Sequence, residues 1–113
     1  MPNYYYIREA NHERAILKRY LDLGYLGVRS GGSKGAVGKS HPSLVDLVLW
    51  NKTEILFICS QSIPWRLDKQ EFIWKLLIRP PNSRLLFIGA SQGWETTEDG
   101  DELAKKYRWK HEM

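Results

Sequence analysis

Residues 44–60, LVDLVLWNKTEILFICS, contain two apolar runs that the polar triplet NKT separates. Apolar runs of this length on either side of a polar turn predict two strands, residues 44–50 and 54–60, paired as a hairpin. Asp46 interrupts the first run. Because burial of an unpaired carboxylate is costly, an acid inside such a strand indicates either chemistry or a buried ion pair.

The chain on either side of the hairpin predicts an α/β fold. Apolar residues at helical spacing predict one helix before it and two after it, and shorter apolar runs predict two further strands. The predicted elements are a helix over 8–24, a strand over 25–30, the two hairpin strands, a helix over 68–79, a strand over 84–91 and a helix over 101–109. The order α-β-β-β-α-β-α predicts a small mixed β-sheet flanked by helices, because hairpins join the first three strands and a crossover helix leads to the fourth.

The second predicted helix, residues 68–79, begins with Asp68 and Glu71 at the spacing of a capping box. Its periodicity predicts which side chains face the core. These are Phe72, Ile73, Leu76 and Leu77. Further along the chain, Gly93 and Trp94 are expected in a turn.

Length and composition are those of one globular domain spanning residues 1–113. Apolar residues make up 42% and charged residues 27%, which is typical of folded proteins rather than disordered ones. No apolar run approaches the ~20 residues that cross a bilayer, and the first residues lack the apolar region of a secretory signal. The single cysteine, Cys59, cannot form an internal disulfide, so we expect a cytoplasmic protein.

Basic residues are concentrated in the first third of the chain. Overall, 17 basic and 13 acidic residues give a formal net charge of +4. A clustered excess of lysine and arginine favours an anionic partner, and nucleic acid is the partner that we expect. The predicted phosphate contacts are Arg8, Arg14, Lys18, Arg29, Lys34 and Lys39.

Glu13 lies on the apolar stripe of the first predicted helix, three residues after Ala10 and four before Leu17. A buried carboxylate needs a cation, a metal ion or hydrogen-bond donors beside it. Glu13 is therefore a candidate either for a salt bridge at the edge of the stripe or for a functional site.

The segment GGSKGAVGKSHPS, residues 31–43, is rich in glycine and predicts a loop. Gly38, Lys39 and Ser40 match the end of a phosphate-binding P-loop, but Ser33 stands where that motif needs its first glycine. A nucleotide P-loop is therefore not expected.

Five short stretches follow one another in a recognisable order. They are Arg8 with Glu13, VRSGGS at 28–33, VDLV around Asp46, the apolar strand that ends in CSQ at 59–61, and Gly93 with Trp94. Together they resemble the archaeal Holliday junction resolvases, which belong to the restriction-endonuclease-like superfamily. The signature of that superfamily is an acid followed by a strand that bears E-x-K. The resemblance implies a restriction-endonuclease-like fold for the predicted sheet and helices.

The resemblance also implies roles for individual residues. Glu13 matches the helix acid of the family, and Asp46 matches its central metal-binding aspartate. Ser33 falls in the serine-bearing loop of the catalytic site, and Arg8 matches a basic DNA contact before the helix. Mg²⁺ or Mn²⁺ is the implied cofactor, with Asp46 and Glu13 as its ligands.

Cys59, Ser60 and Gln61 occupy the place of E-x-K, because Cys59 follows Asp46 at the interval that separates the aspartate and glutamate of the family. A thiol is a soft ligand that suits Mg²⁺ poorly. The amide of Gln61 can bind water or phosphate, but it supplies neither the charge nor the proton transfer of a lysine. With this departure the resemblance implies a degenerate site, in which nuclease activity is weak or lost.

The leading prediction is a protein that binds four-way or other branched DNA as a homodimer, with no membrane partner. One alternative is an active metal-dependent, structure-specific endonuclease that uses Glu13 and Asp46 with an unorthodox third ligand. Another is a non-catalytic subunit that has lost DNA binding and binds a protein partner instead.

Overall fold

The computed structural model describes residues 4–29 and 45–111. In chain order the elements are α1 (Tyr4–Asp22), β1 (Leu26–Arg29), β2 (Leu47–Trp50), β3 (Ile55–Ser60), α2 (Leu67–Leu76), β4 (Ser83–Ser91), β5 (Trp94–Asp99) and α3 (Gly100–Tyr107). The strands form one sheet in the order β1-β2-β3-β4-β5. Within the described ranges no helix is both long and apolar enough to cross a membrane.

The predicted hairpin is confirmed. β2 and β3 pair antiparallel, from Leu47 opposite Ile58 to Trp50 opposite Ile55. The side chain of Asn51 holds the turn, because its Oδ1 accepts hydrogen bonds from the backbone N–H groups of Thr53 and Glu54, both at 2.9 Å. An asparagine that bonds the backbone two and three residues ahead stabilises such a turn locally.

The mixed character of the sheet is also confirmed. β1 pairs antiparallel with β2, and β3 pairs parallel with β4. The parallel pair requires a crossover connection, which α2 provides between the two strands. The α/β architecture and the first six elements thus follow the predicted order.

The helices cover opposite faces of the sheet, and each face buries its own apolar cluster. The cluster beneath α1 contains Ile16, Leu47, Leu49, Leu56, Ile58, Leu86 and Ile88. The cluster beneath α2 and α3 contains Val45, Cys59, Ile73, Trp74, Leu85, Phe87, Leu103, Ala104 and Trp109. Because side chains alternate along a strand, neighbouring residues such as Ile58 and Cys59 belong to different clusters.

The structure adds one strand to the predicted order. Trp94 begins β5 instead of lying in the turn, and β5 pairs antiparallel with β4. The turn itself consists of Gln92 and Gly93, both with positive φ, at 54° and 79°. The sequence of β5, WETTED, has no alternating apolar residues, and all but its last residue are exposed. Periodicity could not reveal this strand because it lies at the sheet edge and buries almost nothing.

The predicted details of α2 are partly wrong. The helix has Arg66 as its N-cap with no side-chain cap bond, and Asp68 instead forms an ion pair with Arg66 at 2.8 Å. Phe72 and Leu76, expected in the core, are 59% and 52% exposed. The buried residues are Gln70, Ile73 and Trp74. The face was misassigned because α2 packs against α3, where Trp74 Nε1 donates to Asp101.

Candidate functional site

Three acidic side chains lie close together where α1 crosses the ends of β1 and β3. We define the carboxylate niche as Glu9, Glu13 and Asp46 with Arg29 and Ser60 beside them. The charges of both glutamates and of Arg29 act on the Asp46 carboxyl, and the Ser60 backbone bonds it directly. The niche therefore brings together two of the predicted catalytic residues and one of the predicted DNA contacts.

Glu13 is buried, with 8% of its surface exposed. Its Oε1 accepts hydrogen bonds from Arg29 Nε at 3.2 Å and from Arg29 Nη2 at 3.1 Å. Arg29 lies at the end of β1, so the ion pair ties α1 to the edge of the sheet. Of the two candidate roles for Glu13, the structure shows the salt bridge.

Asp46 lies just before β2, where its backbone N–H donates to the Ile58 carbonyl at 2.9 Å. Its Oδ2 accepts a hydrogen bond from the Ser60 N–H at 2.8 Å. Burial, together with the charges of Glu13 and Glu9, raises the pKa of Asp46 from 3.8 to about 7, against the opposing effects of the Ser60 hydrogen bond and Arg29. The carboxyl is therefore about half protonated near neutral pH.

Glu9 is a member of the niche that sequence reasoning missed. Its carboxylate accepts the Ser62 backbone N–H at 3.0 and 3.1 Å, and it also accepts the Ser62 hydroxyl. These bonds hold the chain just after β3 against the N-terminal half of α1. The spacing could have revealed it, since Glu9 lies four residues before Glu13 and therefore on the same side of the helix.

One buried polar atom of α1 and one at the end of β3 lack a hydrogen-bond partner among the described residues. They are the Ser60 hydroxyl oxygen and His12 Nδ1. Ser60 is 7% exposed, and its position two residues after Ile58 places its side chain on the face that α1 covers. His12 Nε2 lies 3.6 Å from Glu95 Oε2 at the far side of α1. Neither residue was singled out from the sequence as a polar group beneath the helix.

The two residues that the resemblance places at Glu and Lys of E-x-K, Cys59 and Gln61, both make contacts within the fold. Cys59 is 1% exposed and lies in the apolar cluster beneath α2 and α3. Burial raises the pKa of its thiol well above the usual range, and the nearby Asp46 raises it further. Gln61 uses its Nε2 to donate a hydrogen bond to the Pro64 carbonyl at 2.8 Å. A neutral buried thiol and an engaged amide do not supply metal ligation or proton transfer.

The niche residues do not fit a Mg²⁺ or Mn²⁺ site. Within 4–29 and 45–111, no three carboxylate, imidazole or thiol groups are placed to hold a metal ion. Glu13 Oε1 is bonded to Arg29, and Asp46 Oδ2 is bonded to the Ser60 N–H, so both carboxyl groups already have partners within the fold. Hard divalent cations need ionised oxygen ligands that are free to bind them.

The predicted DNA contacts on α1 lie away from the niche. Arg8, Arg14 and Lys18 are exposed. At about 100° per residue, Arg14 and Lys18 share the side of the helix that points away from Glu13 and the sheet. Arg29 belongs to the niche instead, bonded to Glu13. Three further predicted site residues, Ser33, Lys34 and Lys39, lie outside the described residues.

Cys59 should resist thiol reagents while the chain is folded. At about pH 8 we expect modification by iodoacetamide at least about 100-fold slower in the native protein than in denaturant, because the thiol is buried and its pKa is raised. Mass spectrometry checks this directly, since the chain has one cysteine. Free cysteine under both conditions is the control. Equal rates in folded and unfolded protein would contradict the position of Cys59 in the core.

No protein-family model, curated protein or solved structure matches the chain. The resemblance to the resolvases therefore stays a prediction that rests on the order and spacing of five short stretches. The α/β fold and its mixed sheet, in contrast, are features of the structure itself.

Proposed function

We propose that this chain is a cytoplasmic protein that binds four-way or other branched DNA as a homodimer, and that its nuclease activity is weak or lost. The observation that carries the proposal is that the predicted site residues fall into two groups, one bonded within the fold and one exposed. Asp46, Glu13, Cys59 and Gln61 all make contacts that serve the fold. The basic residues on the outer side of α1 remain exposed.

The contacts of the niche residues support the proposal that nuclease activity is weak or lost. Phosphodiester cleavage in a site of this kind needs a divalent ion that polarises the phosphate and generates hydroxide. The Glu13 carboxylate is neutralised by Arg29, and Asp46 is half protonated near neutral pH. Each tenfold loss of rate corresponds to ~1.4 kcal/mol of barrier. We therefore expect a loss of several orders of magnitude, because the described residues hold no competent ligand set and position 61 has no lysine.

The charge distribution supports DNA binding. The net charge is +4, and Arg14 and Lys18 are exposed, whereas Arg29 is paired with Glu13 and adds less to the outer potential. Arg14 and Lys18 lie one turn apart on α1, a spacing that lets both contact neighbouring phosphates of a strand. Such contacts contribute affinity that falls as salt rises.

A labelled four-way junction and a linear duplex of the same length test the proposal. We expect gel shifts in EDTA that favour the junction, and no cleavage of either DNA in Mg²⁺ or Mn²⁺. Symmetric cleavage that the Asp46→Asn variant abolishes would contradict the loss of activity and establish the active endonuclease. An absence of binding to either DNA would contradict the DNA-binding proposal and favour the protein-interaction subunit.

The double variant Arg14→Glu, Lys18→Glu should weaken junction binding at least about tenfold. The slope of log affinity against log salt should also fall by about 2, because each lost phosphate contact removes about 0.9 from it. Fluorescence anisotropy at several salt concentrations measures both quantities. The matched control is Lys69→Glu, Lys105→Glu, which changes the net charge equally at exposed positions on α2 and α3. If both double variants lose the same affinity, α1 is not the contact surface.

A further inference from the structure

The first strand of the sheet is an edge with exposed apolar side chains. Among the described residues, β1 has β2 as its single neighbour. Leu26 and Val28 are 62% and 54% exposed, and Trp50, opposite Leu26 on β2, is 37% exposed. These three side chains lie on the same face of the sheet, because Leu26 pairs with Trp50 and Val28 lies two residues further along β1. An exposed apolar edge is a surface that pairs readily with another strand.

The opposite edge of the sheet has a different character. β5 carries Glu95, Glu98 and Asp99 among its six residues, and nearly all of the strand is exposed. Arg19 pairs with Glu95, but Glu98 and Asp99 still oppose pairing with a second chain, because charged side chains protect an edge strand. The contrast singles out β1 as the edge that can accept another strand.

The charges at β1 also favour a copy of the same chain over DNA. Arg29 is the one charged residue of the strand, and its charge is paired with Glu13 on the α1 side of the sheet. Two copies of β1 can therefore approach without repulsion between unpaired like charges. An apolar strand whose one cation is already paired can make few favourable contacts with a phosphate backbone.

We propose that β1 is the dimer interface of this protein, and that its occupant is β1 of a second copy. Two-fold symmetry makes two identical neighbouring strands antiparallel, so the sheets of two copies join into one continuous sheet. Leu26 and Val28 of one copy then contact the same residues of the other across the strand pair. This inference rests on the proposed function, because it assigns a surface to the proposed homodimer.

A recess next to β1 enlarges the area available to the second copy. It has a volume of about 700 Å³ and is lined by Gly24, Leu26, Trp50, Asn51, Lys52 and Thr53. Leu23, next to Gly24 in the chain, is 69% exposed. A stable dimer buries about 800 Å² per partner, roughly a tenth of the 8136 Å² surface of this chain. The strand pair, with the apolar side chains of Leu26 and Trp50 in the recess, is the surface from which we expect that area.

Sedimentation equilibrium of the protein without DNA tests the interface. We expect the wild-type protein to have an apparent mass twice the 13.2 kDa of one chain. The double variant Leu26→Lys, Val28→Lys should sediment as a monomer, with a dissociation constant raised at least about 100-fold, because it places like charges opposite one another. Both side chains are more than half exposed, so lysine fits the monomer fold. The control is Phe72→Lys, Ile78→Lys, which adds the same charge at positions 59% and 95% exposed and should remain dimeric.

Amide hydrogen exchange provides a second measurement that needs no variant. Exchange from residues 26–29 should slow as wild-type concentration rises through the dimer range, whereas exchange from β5 should not change. A monomeric wild type, or a dimer that survives both lysine substitutions, would overturn the proposal. Because these measurements contain no DNA, a failure to bind junctions and a failure to dimerise through β1 give separate results.

Discussion

Replacement of Asp46 by asparagine should raise the free energy of unfolding at about pH 8 by about 2 to 4 kcal/mol. The ionised carboxylate is costly because it is buried and lies near Glu13 and Glu9. Asparagine has no charge, and its Oδ1 can still accept the hydrogen bond from the Ser60 N–H. The substitution therefore removes the electrostatic cost and keeps the local bond.

The gain in stability from Asp46→Asn should disappear in acid. The pKa of Asp46 is about 7 in the folded chain and near its ordinary value of 3.8 in an unfolded one. Between these values the folded chain holds a proton that the unfolded chain has released, so wild-type stability falls as pH rises from about 4 to about 7. The difference amounts to roughly 4 kcal/mol at about 1.4 kcal/mol per pH unit. At about pH 4 the folded carboxyl is protonated and the unfolded one is only partly ionised, so little of the cost remains and asparagine brings no comparable gain.

Urea unfolding of wild type and Asp46→Asn across about pH 4 to pH 8 measures this pattern. Asp68→Asn is the matched control, because Asp68 is an exposed carboxylate on the surface of α2. That control should change stability by less than about 0.5 kcal/mol throughout. A loss of stability in Asp46→Asn at about pH 8 would show that the ionised form is favourable, for example through attraction to Arg29.

Replacement of Cys59 by glutamate should lower the free energy of unfolding by about 3 to 5 kcal/mol. The Cys59 side chain is buried among apolar residues that include Phe87 and Trp74. Glutamate is larger than cysteine and would place a carboxylate there without a cation, so both overpacking and desolvation oppose it. Urea unfolding at about pH 8 checks the magnitude.

The same substitution tests the proposed loss of nuclease activity. We expect the combined variant Cys59→Glu, Gln61→Lys to cleave no junction in Mg²⁺, because the new glutamate lies in a packed core and Glu13 remains paired with Arg29. Gln61→Glu alone is the control, since it places a carboxylate two residues further along at a partly exposed position. It should cost about 1 kcal/mol, for the lost bond to Pro64. Metal-dependent cleavage by the combined variant would contradict this account.

Much of the architecture could be predicted from local pattern. The run at residues 44–60 predicted a hairpin, and the structure has one, because alternation and turn chemistry depend on residues that are close in sequence. β5 could not be predicted in this way, since its polar residues are held in a strand by hydrogen bonds to β4 and not by a local pattern. The buried side of α2 depended likewise on contact with α3, which lies almost thirty residues later in the chain.

The sequence could predict which residues belong to the candidate site, but not which of them form ion pairs or hydrogen bonds with one another. Periodicity correctly placed Glu13 on the buried side of α1, and the break in an apolar run drew attention to Asp46. Neither pattern could reveal that Arg29 neutralises Glu13 or that Glu9 bonds the chain at Ser62. Those contacts join elements that are far apart in sequence, so they depend on how α1 lies across the sheet.

The sequence by itself determined the α/β class, the order of all elements except β5, and the excess of positive charge in the first third of the chain. Only the tertiary structure decided which charges are neutralised, which side of α2 is buried, and that β1 is an apolar edge. The physical reason is that secondary structure and net charge depend on residue types and their local spacing. Protonation, pairing and exposure depend on distances between segments, which packing sets.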